Sequence, residues 1–132
     1  MTRKKIVVIG AGYVGFSLAC LMADKNEVIC YDKDASKVDE INKKISPIKD
    51  SQIEKIISKN SINLTATTDP SLALSSAAIV IIATPTDYDI NTSQFDTMSI
   101  EESINLILKY NSKAIIAIKS TVPIGYTENL KK

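Results

Sequence analysis

Ile6-Val7-Val8-Ile9-Gly10-Ala11-Gly12-Tyr13-Val14-Gly15 places an unbroken apolar run directly before three glycines in the spacing G-x-G-x-x-G. Each glycine has its own reason to be there. Gly10 suits a tight turn from strand into helix, Gly12 lets backbone N–H groups approach a phosphate, and Gly15 lets the helix lie close on the strand. The helix that opens near Tyr13 then directs its unpaired N–H groups and the positive end of its dipole at that phosphate, each favourable charge placement contributing ~0.3–2 kcal/mol. Such a site requires no charged side chain.

Glycines also gather in ordinary turns, so the flanking sequence decides. Phe16 to Met22 is a helical stretch with Leu18, Leu21 and Met22 available to a core, and a second apolar run, Val28-Ile29-Cys30-Tyr31, ends in Asp32. Strand, glycine turn, helix, strand and acid make up a βαβ unit of the dinucleotide-binding type. Asp32 stands about twenty residues beyond the glycines, where a carboxylate can accept hydrogen bonds from both ribose hydroxyls of an adenosine. A phosphate on the 2′-hydroxyl would meet that carboxylate, and two charges ~4 Å apart at an effective dielectric near 20 repel by roughly 4 kcal/mol. The expected cofactor is therefore NAD rather than NADP. Lys33 follows at once; it either offsets part of this repulsion or is a solvated lysine after a strand.

The chain has 132 residues, about one domain's worth, and 45% of them are hydrophobic, which is ordinary for a globular protein with a real core. Sixteen Lys and Arg nearly balance fifteen Asp and Glu, and no basic run is interleaved with aromatics, which argues against nucleic acid or an acidic membrane surface as partner. No apolar segment reaches the ~18 residues of a membrane span, and the first strand begins too early for a signal peptide, so a cytoplasmic location is expected. Cys20 and Cys30 are spaced for neither a zinc site nor a CxxC motif and read as buried small hydrophobes. With no histidine in the chain, a histidine-based triad is excluded.

Short, continuous apolar runs recur at Lys5 to Ile9, Val28 to Tyr31, Ile79 to Ala83 and Ala114 to Ile118, the pattern of strands buried on both faces. A weaker strand, Asn63 to Thr67, suits a sheet edge, with Leu64 and Ala66 holding one face. Asp34 can cap a helix running to about Lys44, and Asp69-Pro70 begins another with proline at its first position. Ser51 with Glu54, and Ser99 with Glu102, have capping-box spacing for helices over Gln52 to Lys59 and to about Tyr110. Alternating strands and helices predict an α/β fold, a Rossmann-type doubly wound parallel sheet with strand order 3-2-1-4-5. The stretch from Thr84 to Thr97 is expected to be a long functional loop. Asp87, Asp89 and Asn91 resemble the start of a calcium loop, but Thr92 and Met98 stand where that loop needs Gly and Glu, so no metal is expected.

In such a sheet the ligand lies beyond the carboxyl ends of the strands, where the strand order reverses between the first and fourth. Three segments converge there: the glycine turn, Thr84-Pro85-Thr86, and Lys119-Ser120-Thr121-Val122-Pro123. The last two offer hydroxyls and a proline-stiffened backbone to the ribose and nicotinamide half of a cofactor, or are ordinary loop residues.

The strings GAGYVG, ISPIKD, IIATPTDYD, FDT and IKSTVPIGYT, in this order and at these intervals, resemble the amino-terminal part of the UDP-glucose/GDP-mannose dehydrogenase family over nearly the whole chain. The glycine string is generic, whereas ATPT followed by KSTVPIG is much more specific. The resemblance implies that Tyr13, Val14 and the neighbouring glycines hold the pyrophosphate and that Asp32 and Lys37 contact the adenosine ribose. It also makes Thr84, Pro85, Thr86, Ser120 and Thr121 cofactor contacts, with Thr121 close to the reacting centre. Chemistry alone does not prefer Lys37 to Lys33.

Family members oxidise the C6 alcohol of a nucleotide sugar to a carboxylate in two hydride transfers to NAD, holding the intermediate aldehyde on a cysteine. Neither Cys20 nor Cys30 fits that cysteine's motif. The resemblance therefore implies that residues 1–132 form the NAD-binding domain of a larger enzyme, inactive alone, with the sixth strand, the nucleophile and the sugar-binding residues outside it. The enzyme as a whole is expected to be a homodimer acting on UDP-glucose. A GDP-mannose or UDP-N-acetylhexosamine dehydrogenase is the alternative within the class, and a stand-alone nucleotide-sensing module is the alternative outside it.

Overall fold

The computed structural model describes residues 5–46, 51–58, 63–84, 88–89, 94–95, 98–111 and 113–119. Seven strands and five helices follow one another among them: β1 (Lys5–Ile9), α1 (Tyr13–Met22), β2 (Glu27–Tyr31), α2 (Ala35–Asn42), α3 (Ser51–Ile57), β3 (Leu64–Thr67), α4 (Pro70–Leu74), β4 (Ile79–Ile82), β5 (Tyr88–Asp89), β6 (Gln94–Phe95), α5 (Met98–Tyr110) and β7 (Ile115–Ile118). Five of the strands form one sheet in the order β3-β2-β1-β4-β7, with every neighbouring pair parallel. This is the predicted doubly wound order, with β7 as its fifth strand.

Alternation along β1 explains the layers. Ile6 and Val8 point to one face, where they pack with Phe16, Ala19 and Cys20 of α1, Ile41 of α2, and Ile53 and Ile57 of α3. Val7 and Ile9 point to the other, against Ala73 and Leu74 of α4 and Ile100 and Ile107 of α5. Four consecutive apolar residues thus bury both faces of the strand, and the crossovers supply a helical layer on each side. The order reverses between β1 and β4, which leaves a crevice at their carboxyl ends.

Four expectations about the elements need correction. Leu21, expected to face the core, is 63% exposed, and the buried face of α1 is instead Phe16, Ala19, Cys20 and Ala23. The phase is set by Gly15, which must face the sheet; six residues further on, at ~100° per residue, Leu21 has turned away from it. β7 was expected to be buried on both faces, yet Ile115 is 67% exposed. Among the described residues it is an edge strand, and only its Ile116 and Ile118 side packs into the core with α5, because α1 to α3 cover the part of the opposite face built mainly by β1, β2 and β3.

The third correction concerns helix starts. α5 begins at Met98 and α3 at Ser51, so Ser99 and Ser51 lie inside their helices rather than capping them. The side-chain N-caps seen among the described residues are aspartates: Asp34 accepts from the N–H groups of Ser36 and Lys37, and Asp69 from those of Ser71 and Leu72. Finally, the segment from Thr84 to Thr97 is not wholly irregular. It carries an antiparallel pairing of β5 with β6, in which Tyr88 is in register with Phe95.

The other edge of the sheet is tied down by a side chain. Asn42, at the end of α2, donates to the Ala66 carbonyl at 3.0 Å and accepts from the Ala66 N–H at 2.9 Å, occupying backbone groups of β3 that would otherwise invite another strand.

Candidate functional site

The strand ends and α5 enclose a cavity of about 380 Å³. Its walls come from Ile9 and Gly10 at the end of β1, Tyr31, Asp32 and Lys33 at the end of β2, Thr84 after β4, and Glu102, Ser103 and Leu106 on α5. It opens where the strand order reverses.

The three glycines divide by physical role. Gly10 has φ +101°, and a Cβ on it would stand 2.8 Å from the Ala83 carbonyl oxygen, so a side chain there would strain the backbone and collide with the end of β4. Its N–H donates to the Tyr31 carbonyl at 2.9 Å, which binds the turn to β2. A Cβ on Gly15 would overlap the Gly10 carbonyl oxygen. Both positions are closed by the protein itself.

Gly12 is different. It is the N-cap of α1 at φ −80° and ψ −165°, a conformation open to any residue, and a Cβ there would meet none of the described residues within 4 Å. Among the described residues nothing forbids a side chain at Gly12, which leaves the space above it to a ligand at a helix N-terminus. The first turn of α1 also contains no acidic residue and no side-chain cap, in contrast to the aspartate caps of α2 and α4. An anion placed there would meet backbone N–H groups without competition from a fixed carboxylate.

Asp32 ties this turn to its surroundings. One carboxylate oxygen accepts from the Ala11 N–H at 2.8 Å, and the other accepts from the Asp34 N–H at 2.8 Å. The acid is therefore oriented by two backbone donors before any ligand arrives, and each oxygen retains lone-pair capacity for a ribose hydroxyl. Asp34, in turn, has its carboxyl held below the usual range by the hydroxyl and N–H of Ser36. The turn after β2 is thus pinned at consecutive points.

Of the residues anticipated for cofactor binding, Gly10, Asp32 and Thr84 line the cavity, and Gly12 and Val14 stand at the N-terminal turn of α1. Lys37 sits in the first turn of α2 and is not among the lining residues, whereas Lys33 is. Pro85, Thr86, Ser120 and Thr121 lie outside the described residues. Glu102, Ser103 and Leu106 were missed. For Ser103 a signal existed, because helical spacing from Ile100 to Ile107 puts position 103 on the inward face, and it is buried despite being polar.

The cysteines take no part in the cavity. Cys20 and Cys30 are both buried, and burial pushes their thiols up to about 11 and about 12. Neither forms a thiolate nucleophile near neutral pH. A disulfide-exchange reagent at neutral pH is expected to label neither thiol in the folded chain and both after denaturation; rapid labelling of the native chain would contradict this burial. Because folding raises both values, the stability associated with them is complete below the ordinary value of 9.0 and declines as pH rises toward 11 to 12.

With this geometry in view, comparison with known proteins is decisive. Residues 4–132 match the sequence pattern of the UDP-glucose/GDP-mannose dehydrogenase family, NAD binding domain. The chain belongs to that family. It is 45% identical over 128 residues to a UDP-glucose 6-dehydrogenase of Streptococcus pneumoniae, covering 97% of this chain and 32% of that protein. A UDP-glucose 6-dehydrogenase of Campylobacter jejuni is 47% identical over 130 residues, covering 97% of this chain and 33% of that one. The structure of a ternary complex of GDP-mannose dehydrogenase from Pseudomonas aeruginosa superposes with a TM-score of 0.84 at 28% identity, over 94% of this chain and 30% of that one.

The chain of this dehydrogenase family therefore spans about a third of the length of the curated relatives it matches. It carries the family's NAD-binding fold, and the cofactor is NAD. Among the described residues no group of three or more acidic, cysteine or histidine side chains is placed to hold a metal, and no helix is long and apolar enough to cross a membrane.

Proposed function

We propose that this chain is the NAD-binding domain of a UDP-glucose 6-dehydrogenase, the enzyme oxidising UDP-glucose to UDP-glucuronate. The single observation that carries the binding role is the open space over Gly12, set between two glycines whose side-chain positions the protein fills itself. The assignment of UDP-glucose is supported by the level of likeness, 45% and 47% identity, to two UDP-glucose 6-dehydrogenases. The same resemblance supports a homodimeric, cytoplasmic enzyme with a nucleotide sugar as its second ligand.

The residues fit the cofactor. Backbone N–H groups at the start of α1 would hold the pyrophosphate, Asp32 the adenosine ribose, and the apolar walls of Ile9, Tyr31 and Leu106 the adenine side. Bound NAD supplies a hydride acceptor. What this chain contributes to the chemistry is position: a rigid turn, an acid held by two backbone donors, and Thr84 on the cavity wall. Pro85, Thr86, Ser120 and Thr121 are assigned to the nicotinamide half on the family resemblance, with Thr121 close to the reacting centre.

Calorimetry on this chain tests the cofactor assignment. NAD is expected to bind at least tenfold more tightly than NADP, since even half of the ~4 kcal/mol repulsion between Asp32 and a 2′-phosphate exceeds a tenfold difference. Equal affinities would remove Asp32 from its role. The substrate assignment is tested on the complete enzyme containing this domain, where UDP-glucose should yield two NADH per molecule consumed and GDP-mannose none; the reverse preference would overturn it.

A further inference from the structure

The cavity mouth carries an ion pair that cofactor binding by itself does not require. The ammonium of Lys33, immediately after the ribose acid, lies 3.5 Å from Glu102 Oε2, which comes from α5 on the opposite wall. Both side chains are exposed, and both line the cavity. The pair thus joins two parts of the cavity wall, the turn that carries Asp32 and helix α5.

A lysine directly after that acid is well placed to welcome a 2′-phosphate and so to cancel the discrimination that Asp32 provides. In this fold it is not free to do so. Glu102 draws the ammonium toward α5 and adds a second carboxylate to the wall that a phosphate dianion would have to approach. We propose that Glu102 is a specificity-determining residue: by pairing with Lys33 across the mouth, it prevents that lysine from recruiting NADP. The proposal rests on the NAD reading above and adds to it the group responsible for rejecting the phosphorylated cofactor. Asp32 repels the 2′-phosphate, and Glu102 keeps Lys33 from undoing that repulsion.

Glu102 was expected to reach back to a Ser99 cap, but Ser99 is the second residue of α5 and so is not its N-cap, and the carboxylate of Glu102 turns instead toward Lys33. An exposed pair contributes little to stability, so selection between two ligands of different charge gives it a consequence that folding does not.

The test is the ratio of dissociation constants, NADP over NAD, measured by calorimetry on the whole chain, with thermal melts confirming that each variant folds. Glu102→Gln keeps the shape of the side chain and removes its charge. It is expected to lower the ratio roughly fivefold at about 0.05 M ionic strength and by less at about 0.5 M, as suits partly solvated charges. Adding Lys33→Gln should reverse most of that change, because the released ammonium is what attracts the phosphate. A ratio unmoved by Glu102→Gln, or a change that Lys33→Gln leaves in place, overturns the proposal. Failure of the original chain to bind either dinucleotide overturns the cofactor reading itself, whereas tight NAD binding with an unmoved ratio overturns only the role of the pair.

Discussion

Gly12→Val leaves the chain folded and removes NAD binding, weakening it at least ~100-fold, or about 2.7 kcal/mol. The two halves of this expectation have separate causes. Folding survives because the backbone of Gly12 lies in an ordinary extended region and a Cβ there encounters none of the described residues within 4 Å. Valine is a poorer N-cap than glycine, at a cost of up to ~1 kcal/mol, which for a domain of this size lowers the melting temperature by about 4 °C. Binding fails because the volume the branched side chain enters is where a pyrophosphate must approach the N–H groups of α1. Displacing either the side chain or the phosphate forfeits several charge-assisted hydrogen bonds at once. Calorimetry with NAD beside a thermal melt checks both halves. Retained affinity in a folded Gly12→Val chain would mean that the phosphate does not pass over this turn.

Much of this site could be read along the chain because its parts are close in sequence. The glycines and Asp32 belong to one βαβ unit, and local spacing alone brings Asp32 to the turn, where it accepts from the Ala11 N–H. The α5 wall could not be read in the same way. Glu102 lies about seventy positions beyond Lys33 in sequence, and only the reversal of strand order, which sends α4 and α5 to the face opposite α1, brings the two side chains together. Lys33 and Lys37 were indistinguishable as charges in sequence; the turn after β2 carries the first to the cavity and leaves the second on α2.

Patterns of apolar residues were similarly informative about strands and less so about exposure. Ile115 and Ile6 occur in runs of the same character, but one lies on an edge strand and the other in the middle of the sheet. Composition within a strand cannot report which neighbours the topology will supply. The phase of α1 followed from Gly15 rather than from the larger Leu18 and Leu21, since closeness of approach, not side-chain size, determined which face turned inward.

Gly15→Ala should produce the opposite outcome from Gly12→Val, although both glycines belong to one motif. The added methyl would overlap the Gly10 carbonyl oxygen and stand 3.1 Å from its carbon and 3.2 Å from the Ala83 Cβ. Rotation cannot relieve a methyl group, and the atom it meets is backbone. Gly10 cannot give way, because it is held at φ +101°, its N–H is bound to the Tyr31 carbonyl, and its own open side faces the Ala83 carbonyl. The remaining relief is for α1 to lift from the sheet, which separates Phe16, Ala19 and Cys20 from Ile6, Val8 and Cys30. Overpacking of this unyielding kind costs ~3 kcal/mol or more, a large part of the 5–15 kcal/mol that holds a typical domain together. The melting temperature should fall by about 10 °C or more. Melts of Gly15→Ala and Gly12→Ala followed by circular dichroism make the comparison at constant side-chain size. If both variants melt alike, the close approach of α1 to the turn is not what requires glycine at position 15.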